Sequence, residues 1–269
     1  MSEASRMDKA RAMQLAEFFR TRADTSASPW NASANFTPRE PDLHAALAEL
    51  YDDGLRPLKP GPPYKGELER RLRSPQVMTY LETGVNTGES LRLCGDLTLA
   101  IGIDPAPKLP PEEFERPPFR VERKSSDSFF LDLFAEGPPD FVLDLAFIDG
   151  LHVFEFALRD FIGVEALAAP GCTVLVHDVL PRRAAEAARH RFTRPWTGDV
   201  WRLPMVLRQF RPDLHVELVE AAPTGLAIIS GLDAANTLLT ERYDEVVAYG
   251  LRLSVMAFLA ERDAHVAAV

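Results

Sequence analysis

The chain has little cysteine and no long apolar run, and each shortage closes off a class of protein. Two cysteines in 269 residues, Cys94 and Cys172, are too few for a disulfide framework, and neither sits in a CxxC or Cys/His metal pattern. Cys172 falls inside an apolar strand-like run, which predicts a packed free thiol. No apolar run approaches the roughly 20 residues that cross a bilayer, and "MSEASRMDKARAMQ" has no apolar signal-peptide core. A soluble, cytoplasmic protein without a membrane span is expected. Basic charge is short as well: 30 Lys and Arg against 40 Asp and Glu leave a formal charge of −10. The clusters "RRLR" at Arg70 to Arg73 and "PRR" at Pro181 to Arg183 have acidic neighbours, so no nucleic-acid partner is expected. Repeats and low-complexity tracts are absent too.

What is present is a globular composition. With 46% hydrophobic residues the chain can bury a sizeable core, as one large domain or one domain with an appendage. Residues 1–75 read as a helical extension. Helix-like segments at Met7 to Arg22 and Pro41 to Asp52 flank "TSASPWNASANF", and the Pro/Gly-rich "RPLKPGPPYKG" after them disfavours helix and central strand. The extension is expected to end in an irregular loop and to act as a lid over a neighbouring site. Residues 76–269 are then the main domain.

From Val77 the pattern changes. "VMTYLETG", "DLTLAIGID", "PFRVERK", "FVLDLAFID" and "CTVLVHD" are strand candidates, and helix candidates lie around Ser90 to Gly95, Ser128 to Ala135 and Val153 to Ala169. That alternation predicts a parallel sheet with helices on both faces. Further on, "RRAAEAARHRF" looks helical, "GDVWRLPMVLRQF" follows, and "LHVELVEA" and "GLAIIS" are joined by "APTG", short enough for an antiparallel hairpin. Residues 232–269 are Ala/Leu-rich and mostly helical in propensity; they are expected to pack on the sheet or on a partner subunit.

Chemistry-bearing residues fall at strand ends. "YLETGVNTGES" begins in a strand and opens a helix, with Gly84 and Gly88 where a sharp turn and close backbone approach need no side chain. It is neither a dinucleotide GxGxxG nor a Walker loop. Glu82 beside this turn suits a cationic or hydroxyl-rich ligand. Asp104, about twenty residues past the turn, can accept hydrogen bonds from both hydroxyls of a ribose. In "KSSDSFF", Ser126 and Asp127 either cap the next helix or meet an adenine edge.

In that order, "LETGVNTG", "GID", "SSD" and "FIDGLH" resemble the successive strand-end motifs of class I S-adenosylmethionine-dependent methyltransferases, over residues 77–230. The resemblance implies a Rossmann-like α/β fold: a seven-stranded, mostly parallel sheet with a terminal antiparallel hairpin. It also implies Glu82 and Gly84 near the methionine part of the cofactor and Asp104 on its ribose. Gly88, Ser126, Asp127 and Asp149 complete the expected cofactor contacts.

The fourth strand ends in Asp149 and the fifth in His177 and Asp178. Neighbouring parallel strands lie about 4.8 Å apart, so residues at their ends can converge on one ion. Asp149 and Asp178 suit Mg²⁺ or Mn²⁺ as hard oxygen ligands; His177 is either a third ligand or points to the other face of its strand. His152, at a helix start, is placed to take a proton from a metal-bound hydroxyl. This DGxH plus strand-five aspartate also resembles bacterial Mg²⁺-dependent sugar O-methyltransferases that modify macrolide sugars and related glycosides or polysaccharides. In that group the histidine matching His152 is the proposed base and the aspartates matching Asp149 and Asp178 hold the metal. The chain departs from the group at His177, where a carboxylate is common.

Trp196, Asp199 and Trp201 in "RPWTGDVWRLP" suit either a sugar or the packing of a loop onto the core. The expectation is methyl transfer to a sugar hydroxyl, on a small-molecule or oligosaccharide acceptor, by a homo-oligomer. A catechol or phenol O-methyltransferase and a cofactor-binding module without turnover are the alternatives.

Overall fold

The computed structural model describes residues 7–23, 63–95, 97, 99–113, 117–191 and 195–266. The second expected helix, Pro41 to Asp52, and most of the expected lid lie outside these residues. The elements in order are α1 (Lys9–Ala23), α2 (Tyr64–Leu72), β1 (Thr79–Thr83), β2 (Leu99–Ile103), β3 (Phe119–Glu122), α3 (Ser126–Ala135), β4 (Leu143–Ile148) and α4 (Phe154–Ala166). They continue with β5 (Ala168–His177), α5 (Arg202–Phe210), β6 (His215–Val219), β7 (Leu226–Ser230), α6 (Leu238–Glu241), α7 (Tyr243–Arg252) and α8 (Val255–His265).

The strands form one seven-stranded sheet in the order β3-β2-β1-β4-β5-β7-β6. The first five are mutually parallel, and β7 runs antiparallel to both β5 and β6. Because both faces are covered, β1, β2 and β4 are buried along almost their whole length, which is why they read as apolar runs rather than alternating ones. One face carries α3, α4, α5 and α7 over Leu81, Ile101, Ala146 and Val174. On the other, α2 packs Leu68 and Leu72 toward Tyr80, Leu145 and Phe147.

Helix α1 belongs to the first face. Leu15, Ala16 and Phe19 are buried, and the Phe19 ring stacks on Phe130 at 5.3 Å and Phe134 at 6.0 Å, both on α3.

Four local expectations are corrected. The irregular Pro/Gly run ends earlier than expected, because helix α2 already starts at Tyr64. The helix expected at Ser90 to Gly95 shrinks to one 3₁₀ turn, Leu91–Leu93. Helix α4 stops at Ala166 and β5 begins at Ala168; Pro170 drives the residue before it to extended geometry and cannot continue a helix. The run Arg182 to Arg191 forms turns, not a helix. Its carbonyls are taken from outside: the Glu186 oxygen accepts from the Thr197 N–H at 3.0 Å and hydroxyl at 2.9 Å, and the Ala188 oxygen from the Trp196 indole at 2.7 Å.

Candidate active site

The strand order reverses between β1 and β4, and there the carboxyl ends of the strands open onto a cavity of about 600 Å³. Register explains what meets there. Thr83 pairs with both Ile103 and Ile148, so the next residues, Gly84, Asp104 and Asp149, stand level. Ile148 pairs with Val176, which sets His177 beside Asp149 and Asp178 one residue beyond.

Gly84 is fixed by this crossing. Its φ is +89°, and a Cβ would lie 2.0 Å from the Asp149 carbonyl oxygen. Gly88 has a different reason: a Cβ would lie 2.2 Å from the Leu109 side chain, and Gly88 does not line the cavity. Asp104 does line it; one of its oxygens accepts from the Asn86 N–H at 2.7 Å and the other from the Ala106 N–H at 2.8 Å. Ser126 lines the cavity too. The helix cap is its neighbour Ser125, whose hydroxyl accepts from the Ser128 N–H at 3.2 Å.

Two of the expected cofactor residues turn away. Asp127 is engaged bidentately by Arg159 of α4, both bonds at 2.7 Å, and does not line the cavity. Glu82 is buried beneath the wall, where the Tyr80 hydroxyl donates to it at 2.7 Å. Burial pushes its carboxyl up to about 8, against the Tyr80 hydroxyl pulling it down.

The acidic edge is compact. Ligand atoms of Asp149, His152 and Asp178 all lie within 4.8 Å of one another. His152 Nδ1 is 3.2 Å from Asp178 Oδ2, and its Nε2 is 3.6 Å from Asp149 Oδ1. Burial pulls the His152 pKa down, but Asp178, Asp149 and the Trp196 carbonyl outweigh it and push it up to about 9. The Asp149 carboxyl is raised by burial and lowered more by His177 and His152, to about 2. His177 faces the same edge: its Nδ1 is 3.1 Å from Asp149 Oδ1 and 3.6 Å from Asp178 Oδ1. It also packs against aromatic rings, with Tyr64 of α2 at 4.1 Å and Phe147 at 6.3 Å.

The segment after the turns holds His152. The Trp196 ring stacks on the imidazole at 5.2 Å and 26°, and its carbonyl oxygen is 3.0 Å from Nδ1. Gly198 has φ +58°, and a Cβ there would lie 1.7 Å from the His152 carbonyl oxygen. Asp199 accepts from the Phe154 N–H at 2.8 Å, capping α4 just past His152. Trp201 packs on Phe258 at 4.7 Å. Of the three residues weighed for a sugar, only Trp196 lines the cavity, and Asp199 and Trp201 serve the core. The tryptophan in "RPWTGD" was visible in the sequence; its partner was not.

No curated protein matches the sequence. Among solved structures the chain is similar to the O-methyltransferase from Bacillus cereus in complex with SAH, at 16% identity and a TM-score of 0.47, covering 77% of this chain and 98% of that one. It is similar to the O-methyltransferase TomG from Streptomyces achromogenes, involved in tomaymycin synthesis and in complex with SAM, at 17% and 0.45 over 73% and 92%. A third is the MycE methyltransferase of the mycinamycin biosynthetic pathway in complex with Mg and SAH, at 15% and 0.45 over 64% and 50%. At these identities and scores the likeness says nothing of substrate or metal. The family model described as a methyltransferase domain matches residues 81–179, from within β1 to just past Asp178. Over that stretch the chain is similar to a methyltransferase domain.

Proposed function

We propose that the chain transfers a methyl group from S-adenosylmethionine to a hydroxyl of a sugar, in a natural-product glycoside or a polysaccharide, with a divalent cation at Asp149 and Asp178 and His152 as the base. One observation carries this: Asp149, His152 and Asp178 converge within 4.8 Å on the wall of the cavity that Asp104 and Ser126 also line. The donor set fits a hard cation, since two carboxylates can supply oxygen ligands while substrate and water oxygens complete the shell. When bound, the cation would supply charge that acidifies and orients a hydroxyl, and S-adenosylmethionine would supply a methyl group activated on a sulfonium.

The chain's own residues do the rest. Asp104, held by two backbone N–H groups, keeps lone pairs for ribose hydroxyls. Gly84 brings backbone, not side chain, to the methionine end. The carboxylates that raise the His152 pKa are the ones that would hold the cation, whose charge would offset theirs and favour the neutral imidazole. With its Nδ1–H given to the Trp196 carbonyl, Nε2 would then carry the lone pair that takes the proton of the acceptor hydroxyl. Fixing acceptor and donor together accounts for most of the acceleration. The sugar acceptor rests on the resemblance of the DGxH and strand-five aspartate pattern.

The test is calorimetric titration of EDTA-treated protein with S-adenosylhomocysteine and then Mg²⁺ or Mn²⁺, on the wild type and on Asp178→Ala. Both ligands should bind the wild type, and the substitution should weaken the metal by at least about 10-fold. A screen of sugar acceptors follows from that result. No cofactor binding would overturn the proposal; cofactor binding without a metal site would overturn its metal and leave His152 to act with Asp178 alone.

A further inference from the structure

The turn between β6 and β7 lies outside the segment that matches the methyltransferase-domain model, yet it reaches the acidic edge. Register brings it there. Strand β7 is antiparallel to β5, with Leu226 opposite His177, so the residues just before Leu226 stand beside those just after His177. The two segments are joined at the backbone. The Leu180 N–H donates to the Thr224 carbonyl at 2.8 Å. Gly225, at φ +79°, lets the chains close to a distance where a Cβ would lie 2.4 Å from the Leu180 Cβ.

Within this clamp Asp178 takes φ +62°, a left-handed conformation that asparagine and aspartate visit but that other side chains rarely do. Its carboxylate is then divided. Oδ1 accepts a hydrogen bond from the Thr224 hydroxyl, and Oδ2 is left facing His152 at 3.2 Å. Thr224 is itself buried, 5% exposed, so no bulk water competes for that bond. Its hydroxyl also stands 3.5 Å from His177 Nε2, and thus touches both residues at the end of β5.

We propose that Thr224 is a positioning residue for the metal ligand Asp178: its hydroxyl holds Oδ1 and so presents Oδ2 to the ion. This rests on the metal-dependent reading above. A carboxylate with one oxygen tethered loses rotational freedom about its terminal torsion before the ion arrives, and hydrogen bonds of this kind to ligating groups commonly carry about 10- to 100-fold of metal affinity. The structural duty of the turn is borne separately, by the Thr224 backbone and by Gly225, so the hydroxyl can be removed without removing the clamp.

Thr224→Val keeps the shape and the branching and deletes the donor; Thr224→Ser keeps the donor and deletes a methyl group. EDTA-treated full-length protein is titrated with Mn²⁺, free ion being read by electron paramagnetic resonance, and with Mg²⁺ by calorimetry. Thr224→Val should bind both ions at least about 10-fold more weakly than wild type, with Thr224→Ser close to wild type. S-adenosylhomocysteine affinity should be unchanged in both. Wild-type metal affinity in Thr224→Val would overturn the assignment, as would an equal loss in Thr224→Ser, which would make packing rather than the hydroxyl responsible. If Thr224→Val fails to fold, Thr224→Ala supplies the same comparison. A wild type that binds no metal would overturn the metal-dependent reading, and this inference with it; the arms therefore separate the two failures.

Discussion

Glu82 lies next to a cavity-lining threonine in β1 and faces the opposite side of the strand, so its chemistry is that of a buried acid. It is fully buried, and burial raises its carboxyl to about 8. A folded-state value above the ordinary one means that the fold favours the protonated form. The stability this confers is present in full below about pH 4.5 and is lost as pH rises through about 8. Glu82→Gln should therefore flatten that part of the stability-against-pH curve and be the more stable protein at pH 8, by a few degrees in Tm for each ~1 kcal/mol recovered. Scanning calorimetry between about pH 4.5 and about pH 9 measures it; a slope unchanged by the substitution would contradict it. Because Glu82 does not line the cavity, S-adenosylhomocysteine affinity should stay within about 3-fold, a shift of under ~1 kcal/mol. Strand-end position was legible in the sequence for Asp104, Asp149, His177 and Asp178, since each follows an apolar run. Side-chain direction was not, which is why Glu82 and Asp127 sit in a recognisable motif yet point elsewhere. Thr224 had no local signal at all, as its bond to Asp178 spans 46 residues.

At the level of elements, the strands and their order follow from apolar runs, whereas the segment from Arg182 to Gly198 follows from contacts across the chain. Its helical propensity loses to carbonyl acceptors engaged by Trp196 and Thr197, and the turn so formed delivers Trp196 to His152. Gly198 is the hinge point of that delivery. It combines a positive φ with a backbone contact that no side chain could share, whereas Gly171, at φ +88°, has nothing within 4 Å of its would-be Cβ. Gly171→Ala should thus cost only the conformational strain of about 1–2 kcal/mol. Gly198→Ala should cost that and more, because the His152 carbonyl must move, and it should disturb the imidazole. Urea denaturation of both variants gives the difference, and the His152 ring resonances in wild type and Gly198→Ala report the displacement. Equal destabilisation of the two would remove the close approach as a cause.

The whole molecule is a covered sheet whose one edge of strand ends carries the site, and alternation of strand and helix made that much readable from residue 77 onward. Less readable was the first described helix. Its sequence, KARAMQLAEFFRTRA, shows charge along its length and gives no sign of what it covers. In the fold, α1 lies on α3 with Phe19 completely buried between the rings of Phe130 and Phe134, while Phe18 meets Tyr243 of α7 edge-on at 5.1 Å. Residues 9–23 are thereby part of the same hydrophobic core as β1, β4 and α4. Truncating a phenylalanine so placed removes its burial and leaves a cavity bounded by two other rings, at a cost of about 3–5 kcal/mol. Phe19→Ala should therefore lower the midpoint of the single cooperative unfolding transition followed by far-ultraviolet dichroism. If α1 were instead a loosely attached appendage, the main transition would keep its midpoint and only a small early loss of helix signal would appear. Cofactor affinity separates the two cases again: α1 does not line the cavity, so Phe19→Ala at a temperature where it is folded should bind S-adenosylhomocysteine as the wild type does.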